Sequence, residues 1–229
     1  MNYNYENRIS LLKKQNPFIN NTELVYELLK EDILEGYRTP GSKINQDKCS
    51  EIIGVSRSPI RDALAKLISD GLVTKRTQKG YYVYIATMLD AKRLSEFRIA
   101  IESVSGKLAI KRFNAPEIEL MKNNCLQMSE WNRKDIKTLI NLDIEFHRLL
   151  VESSKNEYLI DAYNKLAPML KHIRNSSFTS DIYDYMLFSH KNILSSLISK
   201  DSDAIESMII NHLEDNVEDL IKSNTYSYN

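Results

Sequence analysis

Cysteine is scarce in this chain. Two residues in 229, Cys49 and Cys125, are too few for a disulfide scaffold or for a zinc site built from four thiolates. Glycine (6) and proline (5) are also few, which disfavours a turn-rich β-sandwich. No stretch approaches the roughly 18 consecutive apolar residues of a transmembrane helix. The opening MNYNYENRISLLKKQNPF lacks the apolar core of a signal peptide. A soluble cytoplasmic protein without membrane attachment is therefore expected. Neither sign of charge dominates: 31 Lys and Arg stand against 31 Asp and Glu, so net charge names no partner. With 42% hydrophobic and 27% charged residues, the chain should pack as one large or two small domains.

The charge is unevenly spread. Residues 41–80 hold 8 basic against 4 acidic side chains, a modest excess that an ordinary solvated surface would also show. The order of elements around it is more informative. Asn20 or Asn21 caps a helix to about Glu35 with a stripe of Leu24, Val25, Leu28, Leu29 and Ile33. A short helix follows, about Gln46–Ile53, then a Gly54-Val55 turn. Ser58 as N-cap and Pro59 at the first helical position open a third helix to about Asp70, burying Ile60, Leu64, Leu67 and Ile68. Two β-rich pieces, Leu72–Lys75 and Tyr81–Ile85, flank the basic tip Arg76-Thr77-Gln78-Lys79-Gly80. Helix, helix, glycine turn, helix and basic hairpin is the order of a winged helix-turn-helix, whose third helix enters a major groove N-terminal end first. Ser56, Arg57, Ser58 and Arg61 stand at that end. Short hydroxyls and amides suit phosphate, and an arginine can take guanine O6 and N7 together. Lys75, Arg76 and Lys79, beside Gly80, can reach backbone from the wing.

Residues 54–83, GVSRSPIRDALAKLISDGLVTKRTQKGYYV, resemble the DNA-binding signature of the GntR family of bacterial transcription regulators. The likeness extends over about residues 22–85. Cys49 stands where that family usually has leucine, a small packing change. Asp47 stands where some members carry a DNA-contacting arginine, so it is left out of the candidate site.

From Thr87 onward the period is helical. Six helices are expected at about 87–113, 116–132, 135–154, 157–178, 182–199 and 202–222. Their short connections favour antiparallel neighbours in a bundle. The fold class expected is mainly α: an N-terminal winged helix-turn-helix (20–86) after an extension (1–19), an all-α antiparallel bundle (87–222), and a tail (223–229).

Polar residues interrupt the apolar stripes of that bundle. With Asp143 at zero on a helical wheel, His147 falls at about 40°, Ile136 at about 20°, Ile140 at about 60°, Leu139 at about −40° and Leu150 at about −20°. Asp143 and His147 thus occupy the middle of an apolar face. His190 shares its stripe with Tyr183, Met186, Leu187, Ile193, Leu194 and Leu197, and His212 with Ile205, Met208 and Ile209. A lone inward histidine is ordinarily a hydrogen-bonded core residue. Three of them with a carboxylate suit a borderline divalent ion, Zn²⁺ or Ni²⁺. His172, on a face with Lys165, Ser176 and Thr179, reads as solvated. Arg98 shares a face with Ala91, Leu94, Ile101, Glu102, Ser105 and Ala109. Either it pairs with Glu102 one turn on, or it grips a ligand carboxylate bidentately. Arg174, on a stripe with Tyr163, Ala167, Leu170 and Phe178, is a weaker second clamp.

Asp143-Ile-Glu-Phe-His147, with His190-Lys-Asn-Ile-Leu and Asn211-His212-Leu213, is similar to the histidine motifs of the FCD effector domain that follows the winged helix in FadR-type GntR members. Six helices suit its VanR-like branch. The resemblance implies one divalent ion on Asp143, His147, His190 and His212, with zinc expected first and nickel or manganese as alternatives. It also implies a small organic acid as effector on Arg98 and Arg174. The glutamate common just before the third ligand is Ser189 here. The function expected is a homodimeric repressor that binds a palindromic operator in duplex DNA. The alternatives are a metal-dependent hydrolase with an accessory winged helix, or a DNA-binding protein with a structural metal.

Overall fold

The computed structural model describes residues 5–77, 79–177 and 183–223. It divides into two compact units, Met1–Ile85 and Ala86–Asn229. The expected tail lies outside the described residues beyond Ser223, as do Phe178 and the expected break at 179–181.

The first unit begins with helix α1 (Tyr5–Gln15) and continues with α2 (Asn21–Leu34), strand β1 (Lys43–Ile44), α3 (Gln46–Ile53), α4 (Arg57–Ser69), β2 (Val73–Arg76) and β3 (Gly80–Val83). Asn20 caps α2 by accepting the Glu23 amide at 2.9 Å, and Asn45 caps α3 in the same way. Gly54 ends α3 with φ +74°, a left-handed turn that L side chains enter at a cost. There Ser50 Oγ donates to the Val55 carbonyl at 2.6 Å. The strands form an antiparallel sheet in the order β1-β3-β2, with Val73 opposite Val83 and Lys43 opposite Tyr82. Leu28, Leu29, Ile60, Leu64, Leu67 and Val83 are fully buried between helices and sheet. Each such side chain contributes about 1.5–3 kcal/mol by leaving water.

Three local expectations are corrected. Helix α4 starts at Arg57 with Ser56 in the capping position, so Ser58 is inside the first turn and Pro59 is its third residue. Proline is tolerated there because first-turn amides have no helical acceptor. Ile68 is half-exposed at 38%, on the outer edge of the α4 stripe. Strand β1 had no signal, since two residues show no alternation. The N-terminal extension contains α1, which docks on α2 through a buried carboxylate. Asp32, 1% exposed, takes Arg8 Nη1 at 2.7 Å, Arg38 Nε at 3.0 Å and the Tyr5 hydroxyl.

The second unit contains α5 (Met88–Arg112), α6 (Ala115–Ser129), α7 (Ile136–Glu152), α8 (Glu157–Ser177), α9 (Tyr183–Ser199) and α10 (Ser202–Ser223). Thr87 with Asp90, and Asn114 with Glu117, close reciprocal capping boxes on α5 and α6. Asp135 caps α7. Gly106 lets α10 approach α5: a Cβ there would stand 2.7 Å from Ile209 Cδ1. The core joins Met121, Met128, Leu139, Phe146, Leu150, Met186, Ile193, Leu197, Ile205 and Ile209. At its edge Trp131, the only tryptophan of the chain, lies 5.1 Å from the Tyr183 ring, and its Nε1 donates to the Asp135 carbonyl at 2.8 Å. Among the described residues no helix is long and apolar enough to cross a membrane.

Candidate metal centre and nucleic-acid interface

Helices α7, α9 and α10 each turn a histidine into the second unit's core. His147, His190 and His212 are at most 1% exposed, and Asp143 is 0% exposed. Their Nε2 atoms converge. His147 is 3.1 Å from His212 and 3.2 Å from His190, and His190 is 3.1 Å from His212. Asp143 Oδ1 closes the group at 3.7 Å from His147 Nε2 and 3.5 Å from His190 Nε2. One donor atom from each of the four lies within 4.8 Å of every other.

The opposite ring nitrogens favour the Nδ1–H tautomers. His147 Nδ1 lies 2.7 Å from Glu102 Oε2, an acceptor, so this nitrogen donates. Ser189 Oγ donates to the Met186 carbonyl at 2.9 Å and therefore accepts from His212 Nδ1 at 2.6 Å. His190 Nδ1 faces Met128 Sδ at 3.3 Å, a weak acceptor. With the protons on Nδ1, three lone pairs point at one spot, an arrangement that a cation relieves. With metal–nitrogen bonds of ~2.1 Å, nitrogens at right angles sit about 3.0 Å apart and at tetrahedral angles about 3.4 Å apart. The observed 3.1–3.2 Å falls between these. The cluster could hold a metal ion.

The electrostatics agree. Burial pushes the His190 and His212 rings well below the ordinary imidazole range, and the neighbouring rings add to this. Burial thus favours the neutral form of both rings. Burial alone would raise the Asp143 carboxyl, but Arg174, then His147 and His190, outweigh it and hold Asp143 well below the usual carboxylate range. Arg174 Nη2 stands 3.3 Å from Asp143 Oδ2. Burial, together with the nearby Arg98 charge, lowers the Arg174 guanidinium.

Arg98 makes the expected pair with Glu102 and leaves one nitrogen over. Nε donates to Glu102 Oε1 at 2.6 Å, which is the i, i+4 pair. Nη2 is buried and has no hydrogen-bond partner among the described residues, and neither has Ser105 Oγ, two turns along the same face. Arg174 is placed against Asp143 rather than apart from the cluster. His172 is corrected: it is 2% exposed, because burial on α8 depends on neighbouring helices as well as on the wheel. Ile136 is 37% exposed, as it lies in the first turn of α7. Glu102 was legible only as a partner for Arg98, and nothing in the spacing linked it to His147. Ser189, a departure from the family pattern, occupies the position that fixes the His212 ring.

In the first unit, Ser56, Arg57, Ser58 and Arg61 are exposed at the start of α4, and Lys75, Arg76 and Lys79 are exposed along the hairpin. The tip is closed by the Lys79 amide on the Arg76 carbonyl at 3.0 Å and by the Tyr82 hydroxyl on the Lys79 carbonyl at 3.1 Å. Gly80 has φ +99°. Arg76 lies over the Tyr82 ring. Arg57 Nη2 pairs with Asp47 Oδ1 at 2.7 Å, an exposed contact of the kind that stabilises little.

Comparison with known proteins agrees with both halves. The model of the bacterial regulatory proteins of the gntR family matches residues 21–83, and that of the FCD domain matches residues 93–215. The chain is 29% identical over 193 residues to the HTH-type transcriptional repressor RspR of Escherichia coli (strain K12), covering 83% of this chain and 85% of that protein. It is 24% identical over 203 residues to the gluconate operon transcriptional repressor of Bacillus licheniformis, covering 84% and 83%. A GntR-type regulator from Rhodococcus sp. RHA1 has a similar fold, with a TM-score of 0.78 over 88% of this chain and 98% of that one at 18% identity.

Proposed function

This chain belongs to the GntR family of bacterial regulatory proteins and carries an FCD domain, and from that premise we propose a homodimeric, cytoplasmic repressor controlled by a small organic acid at a metal centre. That it is a DNA-binding transcriptional regulator and not an enzyme follows from the family. The hydrolase alternative is accordingly not favoured.

The operator would be read by the start of α4. Arg57 and Arg61 take base edges, Ser56 and Ser58 take phosphate, and Lys79 and Gly80 bring the wing to the backbone. Two copies would match two half-sites of a palindrome. Arg57→Ala or Arg61→Ala should abolish specific retardation of the promoter-proximal fragment while metal content stays intact. Normal footprints from both variants would refute the groove assignment.

Asp143, His147, His190 and His212 would hold one divalent ion, with zinc first and nickel or manganese as alternatives. The observation that carries this is the tautomer set: each Nδ1 faces an acceptor, so the Nε2 lone pairs converge. When bound, the ion supplies fixed positive charge that draws an oxygen of an anionic ligand. Arg98 Nη2 would take a carboxylate of the same ligand. Arg174 would hold Asp143 in place and add positive charge. A ligand whose affinity differs between two DNA-binding geometries shifts the balance between them, on a usual scale of about 1–3 kcal/mol. Thermal-shift screening of organic acids, with and without chelator, tests this. Saturable stabilisation that chelator abolishes supports the sensor. Stabilisation indifferent to chelator would detach the ligand from the ion.

A further inference from the structure

Glu102 touches both halves of the buried cluster. It is 0% exposed and each of its oxygens has its own donor. Oε1 accepts from Arg98 Nε at 2.6 Å, and Oε2 accepts from His147 Nδ1 at 2.7 Å. Nη2 of the same guanidinium is buried without a hydrogen-bond partner among the described residues. Arg98, Glu102 and His147 therefore form one continuous line from the guanidinium to the converging Nε2 atoms. The other two rings meet different groups: His212 Nδ1 lies against a hydroxyl and His190 Nδ1 against a thioether.

We propose that Glu102 is a positioning residue for the metal centre, and that Arg98 acts on the ion through Glu102 and His147 without touching it. This rests on the metal reading above. A carboxylate on the far nitrogen of a ligating imidazole fixes the ring and strengthens the ligand. A carboxylate held by two charge-assisted or polar donors keeps one orientation, whereas one held by a single donor can rotate. Arg98 supplies the second donor. An anion arriving at Nη2 pulls on the same rigid guanidinium, so ligand occupancy enters the cluster through His147.

The test is a cycle of zinc affinities, measured on the full chain by competition with a chromophoric chelator. Glu102→Gln should weaken zinc binding by about 10–100-fold. Arg98→Gln should also weaken it, and the double variant should bind no more weakly than Glu102→Gln alone. Arg98→Lys, which still offers a donor to Oε1, should recover most of the loss. Wild-type affinity in Arg98→Gln, or losses that multiply in the double variant, would overturn the line from Arg98 to the ion. A readout without metal accompanies it: the proton on His147 Nδ1, followed by NMR in the zinc-free chain. It should vanish with Glu102→Gln and move with Arg98→Gln, and an unmoved resonance would also overturn the proposal. A wild-type chain that takes up no zinc sinks the metal reading instead, and the proton resonance then judges the Arg98–Glu102–His147 link separately.

Discussion

Three imidazoles packed nose to nose make each of them hard to replace. His147→Ala should lose bound metal, read by elemental analysis of protein purified without chelator, and a full complement would strike His147 from the ligand set. The same burial sets a pH dependence in the metal-free chain. The depressed His190 and His212 contribute stability that is fully present above the ordinary imidazole value, ~6.5. It is lost as pH falls below that value, because the unfolded chain then binds protons that the folded one refuses. The depressed Asp143 carboxyl adds a loss of the same sign nearer the carboxylate range. Calorimetry of chelator-treated protein from pH 7 to 5 should show a falling Tm, and a flat profile would mean that the rings open to water. At this scale the sequence was informative about direction and silent about partners. The wheel placed Asp143, His147, His190 and His212 inward because a 100° step is fixed by helix geometry. It could not pair His147 with Glu102 or His212 with Ser189, since those contacts depend on how α5 and α9 sit against α7 and α10. His172 shows the same limit from the other side: its own helix looked polar there, yet it is buried.

Helices with strong termini fell close to their expected bounds. Asn20, Thr87, Asn114 and Asp135 all cap by side-chain hydrogen bonds. Where two serines competed, Ser56 and Ser58, the start slipped by two residues, because Ser56 caps without a side-chain bond and left no pattern to read. Gly106 gives a packing test. Valine there must displace Ile205 and Ile209 and should destabilise the second unit by about 1–3 kcal/mol. Alanine already meets Ile209 Cδ1 at 2.7 Å and Ile205 Cδ1 and Cγ1 at 3.2 and 3.3 Å, a crowding that up to about 1 kcal/mol of helix propensity offsets in part, so its denaturant midpoint should fall less than that of the valine variant. Helix α1 is a second case. Arg8→Ala removes one of two arginines from buried Asp32 and should cost about 1–3 kcal/mol, visible as a lower urea midpoint for the first unit. No change would show that Arg38 and Tyr5 alone satisfy the carboxylate.

Each unit has its own apolar core, and the four converging side chains all belong to the second. Chelation should therefore lower the Tm of the second unit and leave the first unmoved, since a ligand stabilises only the fold that binds it. Equal shifts in both would show that the units unfold together. The converging histidines lie up to 65 residues apart, from His147 to His212. A bound ion would tie α7, α9 and α10 in one knot and shrink the freedom of the unfolded chain much as a long-loop crosslink does. The lone indole offers a way to watch this. Trp131 is 8% exposed and lies tilted against Tyr183 at the start of the helix that carries His190, while the DNA-reading unit has no indole at all. Emission excited at the red edge of absorption is thus an inbuilt lamp for the sensing half alone, with no label and no engineered residue.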